Sequence, residues 1–211
     1  MKKICYVAGA GEYYGRKLSI SLQENDYVIA VDGGYAWLEK SGIKANLVIG
    51  DFDSLGRIPN HSNVIRLNPE KDDTDMLAAL KEGLKLGCNE FHIYGGTGGR
   101  IEHTFANVNC LAYLADMSVQ GFLYDDKSVI TAVTNGELDF AEKYNGYLSI
   151  FSYTNRSAGV NLKGLKYELT EAVLTNTFPI GVSNEFIGAK SSVSVKEGTL
   201  LVVYGNENLE R

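Results

Sequence analysis

The stretch VIGDFDSL, residues 48–55, starts as sheet interior and ends in two acids. Val48 and Ile49 continue an apolar run instead of alternating with polar residues. That is the pattern of a strand covered on both faces, as in a parallel sheet flanked by helices. Five further runs are likewise short and apolar: KICYVAG, YVIAVDGG, NVIRLN, EFHIYGG and VQGFLYD, all ending in Gly, Asp or Asn. Helix-period segments lie between several of them. The clearest is DMLAALKEGLKLG, where Leu77, Leu80 and Leu84 recur at helical spacing and Gly87 stands as the C-terminal cap. Alternating strands and helices predict an α/β, doubly wound, mostly parallel sheet of about six strands.

After about Leu123 the texture changes. SVITAVT, GELDFAE, GYLSIFSY, AGVNLKG, EAVLTNT and GTLLVVYG are rich in Val, Thr, Tyr and Leu and carry no long helical period. They predict a smaller, all-β, sandwich-like domain. With DDKS (125–128) as the junction, the expected domains are residues 1–124 and 125–211.

The chain has 211 residues, 45% hydrophobic and 22% charged, with a formal net charge of −6. That balance argues against a nucleic-acid partner, and no run approaches membrane-spanning length. MKKICYVAGAG resembles a signal peptide only until Glu12, and reads better as a first strand. Cys5, Cys88 and Cys110 are widely spaced and form no metal-ligand pattern, as expected of free thiols in the cytoplasm.

In open parallel sheets, ligands bind beyond the carboxyl ends of the strands. Three strand ends therefore carry the chemistry. VDGG supplies Asp32, Gly33 and Gly34; GDFDS supplies Asp51 and Asp53; YGGTGGR supplies Gly95, Gly96, Gly98, Gly99 and Arg100. On an extended chain Asp51 and Asp53 point the same way, an arrangement for sharing a hard cation such as Mg²⁺. The plainer reading is a turn in which each carboxylate caps a backbone N–H. KDDTD follows, with Lys71, Asp72, Asp73, Thr74 and Asp75. Asp72 or Asp73 suits the helix cap, and Asp75 in the first turn is free to join the other acids. The glycine loop leads into a helical pattern, so its N–H groups and Arg100 suit an anion. His103, in that first turn, reads as a phosphate neighbour or structural residue. GAGEYYG (9–15) misses the dinucleotide fingerprint, and Trp37 reads as core. Acids for Mg²⁺ beside a phosphate loop describe phosphoryl transfer.

DGG (32–34), GDFDS (50–54), DDTD (72–75) and GGTGGRIEH (95–103), in this order and spacing, resemble the thiamin pyrophosphokinase (thiamin diphosphokinase) family. GLKYEL (164–169) and VSNEF (182–186) resemble its thiamin-contacting part. The resemblance implies an ATP:thiamin diphosphotransferase with an α/β nucleotide domain and a β-rich thiamin domain, assembled as a homodimer with active sites shared between subunits. Carried over, Asp51, Asp53 and Asp75 are its Mg²⁺-associated acids, with Asp53, Asp75 and Arg100 catalytic. Asp32, Gly33, Gly34, Asp51, Thr74, Gly95, Gly96, Gly98, Gly99, Arg100 and His103 form the ATP side. Asp53, Lys71, Ser183 and Asn184 form the thiamin side. Glu102 stands where the family more often has Asp, with the same charge on a longer arm. The rival readings are another Mg²⁺-dependent phosphoryl-transfer or phosphoester-hydrolysing enzyme, and a nucleotide sensor fused to a ligand-binding β domain.

Overall fold

The computed structural model describes residues 2–14, 20, 22–53, 59–68, 70 and 72–205. The chain folds as two compact units, residues 1–110 with 121–126, and residues 111–120 with 127–211.

In the first unit the six expected strands form: β1 (Ile4–Ala8), β2 (Tyr27–Val31), β3 (Leu47–Gly50), β4 (Val64–Arg66), β5 (Glu90–Tyr94) and β6 (Gln120–Tyr124). Their order is β6-β5-β1-β2-β3-β4, and β1 runs parallel to both β2 and β5, as β3 does to β2 and β4. The sheet is buried because the chain alternates faces. Tyr6, Ala8, Val28, Ala30 and Val48 meet Leu38 of α1 (Gly34–Ser41) on one side. Cys5 and Phe91 face the other way, onto Gly83 of α2 (Asp75–Lys85), where a Cβ would lie 2.6 Å from the Phe91 ring. Helices on opposite faces make the sheet doubly wound. Chain order reverses between β1 and β5, so the loops after these two strands part at a topological switch point.

α2 starts at Thr74, not at Asp72 or Asp73. Thr74 is extended (φ −67°, ψ 156°) and its Oγ1 accepts the Leu77 N–H at 3.1 Å. Asp73 is drawn off by Lys81, whose Nζ meets both its carboxylate oxygens at 2.7 and 2.8 Å. Gly87, at φ 80°, follows the C-cap residue Leu86 and donates its N–H to Leu84 O. α3 (Ile101–Asp116) begins directly after Arg100.

The second unit is all-β. One of its sheets joins β7 (Ser128–Thr134), β14 (Thr199–Gly205), β9 (Tyr147–Ser152) and β12 (Asn184–Glu185), with antiparallel pairing throughout. The other joins β8 (Glu137–Phe140), β13 (Ser191–Ser194), β10 (Arg156–Lys163) and β11 (Leu169–Thr175), again antiparallel. Two strands exceed the sequence expectation. β12 is two residues long, too short for any periodicity to register, and β13 is a serine-rich SSVS.

Candidate active site

The loops beyond β1, β2, β3 and β5 and the start of α2 enclose a cavity of about 770 Å³. Its walls include Gly9, Gly11, Asp32, Asp51, Asp53, Asp73, Thr74, Asp75, Gly95, Gly96, Gly99, Arg100 and His103. The size suits a nucleotide-scale ligand. Gly33, Gly34 and Gly98 are not among the wall residues. Gly33 is the N-cap of α1, and Gly34 lets that helix approach β1, since a Cβ there would lie 1.9 Å from Ala8 O. Lys71 lies outside the described residues.

The acids converge, with one exchange. One carboxylate oxygen each from Asp32, Asp51 and Asp75 lies within 4.8 Å of the others. The expectation of Asp51 and Asp53 side by side required an extended chain between them. Phe52 instead takes a left-handed φ of 64° and buries its ring to 3% exposure. The chain turns there, Asp53 N donates to Asp51 Oδ1 at 3.1 Å, and the Asp53 side chain stands exposed on the cavity wall. Asp32 takes its place in the cluster. It too has a left-handed φ, 47°, and its Oδ1 accepts the Phe52 N–H at 3.2 Å. One tight turn thus removes Asp53 and fixes Asp32.

Three anions this close repel, by about 3 kcal/mol for each ionised pair at an effective dielectric near 20. Burial first, then the Asp75 carboxylate beside it, pushes the Asp32 carboxyl up to about 7, against the opposing effect of the Phe52 N–H. All three residues are only half-buried, so water and substrate oxygens have access. Three carboxylates around one point, open on one side, fit a hard divalent cation completed by water or phosphate oxygens.

The glycine loop is prepared for an anion by its carbonyls. Gly9 N–H donates to Tyr94 O (2.8 Å), Gly11 N–H to Gly95 O (2.7 Å), Asn107 Nδ2 to Gly96 O (2.7 Å) and Glu12 N–H to Thr97 O (2.9 Å). Four successive carbonyls are therefore occupied. Among the described residues, no hydrogen bond engages the N–H groups of Gly96 to Gly99. Gly95 and Gly98 supply the left-handed φ values, 61° and 79°, that shape this path. Gly11 has to lack a side chain, since its Cβ would lie 2.4 Å from Thr97 O. GAGEYY, which matches no nucleotide motif, thus braces the glycine loop from its other side. Its signal in the sequence was the small residues at positions 9 and 11, legible only once β1 and β5 are known to be neighbours.

Arg100 closes the loop. Its side chain is exposed, with Nε 3.4 Å from Glu102 Oε1 and a terminal nitrogen against His103 Nε2. Ser183 and Asn184 belong to the second unit. Ser183 is exposed, at φ 62°, and donates its N–H to Ser149 Oγ at 3.0 Å. Asn184 is 4% exposed, and its amide brackets Tyr167: Oδ1 accepts Tyr167 N–H (3.0 Å) and Nδ2 donates to Tyr167 O (2.7 Å). Trp37, expected in the core, is half-buried and stacks on Tyr13 at 4.1 Å between ring centroids.

Clustered carboxylates and a glycine–arginine loop at the switch point of a doubly wound sheet define a phosphate-transferring enzyme of the α/β class. The catalytic-domain model of thiamin pyrophosphokinase matches residues 18–123, and the vitamin B1 binding-domain model matches residues 136–200. The thiamine pyrophosphokinase of Bacillus subtilis is 29% identical over 210 residues, covering 96% of this chain and 98% of its own. A crystal structure of the enzyme from that organism superposes with a TM-score of 0.85 at 26% identity, covering 97% and 99% of the two chains. That of thiamin pyrophosphokinase from Geobacillus thermodenitrificans gives 0.82 at 27% identity, covering 96% and 97%. The chain belongs to the thiamin pyrophosphokinase family, transferases whose reaction forms thiamin diphosphate from ATP.

Proposed function

We propose that this chain binds Mg²⁺–ATP in the 770 Å³ cavity and passes the β,γ-diphosphate to the hydroxyethyl oxygen of thiamin, releasing AMP. The observation that carries the reading is the three-carboxylate cluster sharing one cavity with the glycine–arginine loop. Asp32, Asp51 and Asp75 would hold the cation, which when bound offsets phosphate charge. The N–H groups of residues 96–99 donate to phosphate oxygens, with the α3 dipole reinforcing them. Arg100 pairs with the phosphoryl oxygens and stabilises the charge that shifts during transfer. Asp53, on the wall but outside the cluster, is our candidate acceptor of the thiamin hydroxyl proton.

For the thiamin side we assign Ser183 and Asn184, with Asn184 acting through Tyr167, an exposed residue whose backbone N–H and carbonyl it engages. An exposed aromatic ring on a fixed backbone suits a flat, cationic heteroaromatic substrate. We further propose a homodimer in which one subunit's phosphate site meets its partner's thiamin residues. Two sets of exposed apolar residues support this: Ile101 and Phe105 on α3 after Arg100, and Phe178, Ile180, Val182 and Ile187, near Ser183 in the chain. We place the enzyme in the cytoplasm; its three cysteines are unpaired and buried.

The test is incubation with ATP, Mg²⁺ and thiamin, followed by chromatographic identification of products. Thiamin diphosphate and AMP in equal amounts support the reading. Nucleotide breakdown at the same rate without thiamin would favour the Mg²⁺-dependent hydrolase instead.

A further inference from the structure

Asp125 lies at the end of β6, in the stretch read from sequence only as a domain junction. Its Oδ1 accepts two hydrogen bonds, one from Thr97 Oγ1 and one from Tyr14 OH, both 2.7 Å. The two hydroxyls also lie 3.3 Å apart, closing a three-membered network. Thr97 is the middle of the phosphate loop and is 5% exposed. Tyr14, at a left-handed φ of 51°, extends its hydroxyl over the same loop: a Cβ on Gly98 would lie 2.7 Å from that oxygen. No part of this network contributes a group to the cavity except Thr97.

The loop needs such a fastening. Gly95 and Gly98 flank Thr97 with the two most permissive backbones of the segment, and freezing them is entropically unfavourable. The carbonyl contacts hold the loop's inner edge. Thr97 Oγ1 is its one side-chain hydroxyl, and Asp125 receives it. A loop already fixed in its anion-accepting shape loses less freedom when phosphate binds.

We propose that Asp125, with Tyr14 as its second donor, is a positioning residue for nucleotide binding: it latches Thr97 and so keeps the N–H groups of residues 96–99 presented to phosphate. It touches neither substrate nor the reacting atoms. The proposal rests on the assignment of this loop to ATP, and the experiment separates the two.

Asp125→Ala removes the acceptor, whereas Asp125→Asn keeps an oxygen able to take both hydrogen bonds. Asp125→Ala is expected to raise the KM for ATP about tenfold, the loss of two net hydrogen bonds, while the KM for thiamin stays at the wild-type value. Asp125→Asn is expected to restore the ATP KM to within about twofold. Thr97→Val, which conserves shape, should behave as Asp125→Ala does, and Thr97→Ser should rescue it. Hydrogen exchange of the substrate-free protein supplies a readout independent of activity. The amides of 96–99 should exchange about tenfold faster in Asp125→Ala and Thr97→Val, with the amides of β1 and β2 unchanged. Wild-type loop exchange in both variants overturns the latch, whatever the enzyme's reaction. So does an Asp125→Asn variant as impaired as Asp125→Ala, or a KM for thiamin that rises with that for ATP. Failure of the wild-type protein to consume ATP would instead remove the nucleotide assignment and leave the exchange test of the latch standing.

Discussion

Gly50 has no side chain where Asp32 has its carboxylate: a Cβ built on Gly50 would lie 1.8 Å from Asp32 Oδ1. The last residue of β3 is therefore chosen by an acid at the end of β2. Gly50→Ala should push the carboxylate out of the cluster, and its φ of 158° adds some backbone strain at the end of β3. The expected result is loss of divalent-cation affinity by about tenfold or more, measured by Mn²⁺ or Mg²⁺ titration, with a cooperative melt retained.

The carboxylate cluster contains Asp32 where the sequence pointed to Asp53, and paired variants test which of the two holds the cation. Asp32→Asn keeps the hydrogen bond from Phe52 N–H and removes one of three clustered charges. It should weaken cation binding about tenfold or more and raise the melting temperature of the metal-free protein at pH 8. Asp53→Asn should leave cation affinity near wild type and lower turnover. Equal cation affinity in the two variants would return Asp53 to the ligand set.

The raised carboxyl of Asp32, about 7 against an ordinary 3.8, sets a pH dependence. The folded state binds this proton more tightly than the unfolded chain does. The associated stability is complete below about pH 4 and is lost as pH rises through 7. Metal-free protein should therefore lose thermal stability between those values. With Mg²⁺ present the loss should shrink, because the cation takes the proton's place. Melts across pH 4–8 with and without Mg²⁺ measure both curves, and parallel curves would contradict the assignment.

Arg100→Lys keeps the charge and loses the planar fork. With that fork assigned to the phosphoryl oxygens in the proposed function, kcat should fall by of order 10²-fold. The contact between Arg100 and His103 makes His103→Ala a useful companion: it should change kcat far less than Arg100→Lys does.

A shared active site predicts rescue between defective chains. One chain carries Asp75→Asn and the other Tyr167→Ala, each inactive as a homodimer. After random subunit exchange half of the dimers are mixed and each retains one intact site, so activity should recover to roughly a quarter of wild type. Absence of recovery in verified mixed dimers would put both residues in one chain's own site.

The strands of the first unit were legible because they are short apolar runs ended by Gly, Asp or Asn, and NLVIGD is unbroken, as a covered parallel strand should be. The acids at strand ends were legible as a group for the same reason. What the sequence concealed was conformational. Whether Asp51 and Asp53 point together depends on the φ of Phe52, a residue whose type gives no hint of a left-handed backbone. The role of Gly9 and Gly11 depends on β1 and β5 being adjacent, a contact across more than eighty residues. Asn184 read as a ligand contact, yet its amide is spent on the backbone of Tyr167, a partner seventeen positions away.

Trp37 is the chain's single tryptophan, and its ring lies on Tyr13, whose hydroxyl donates to Gly9 O at 2.8 Å. Gly9 N–H in turn meets Tyr94 O, and a Cβ on Gly95 would touch the Tyr13 ring at 2.6 Å. The lone indole thus connects through Tyr13 to the backbone of the glycine loop. Its fluorescence is an optical probe built into the native sequence, and nucleotide arrival at the proposed site should register in a stopped-flow trace without any attached dye.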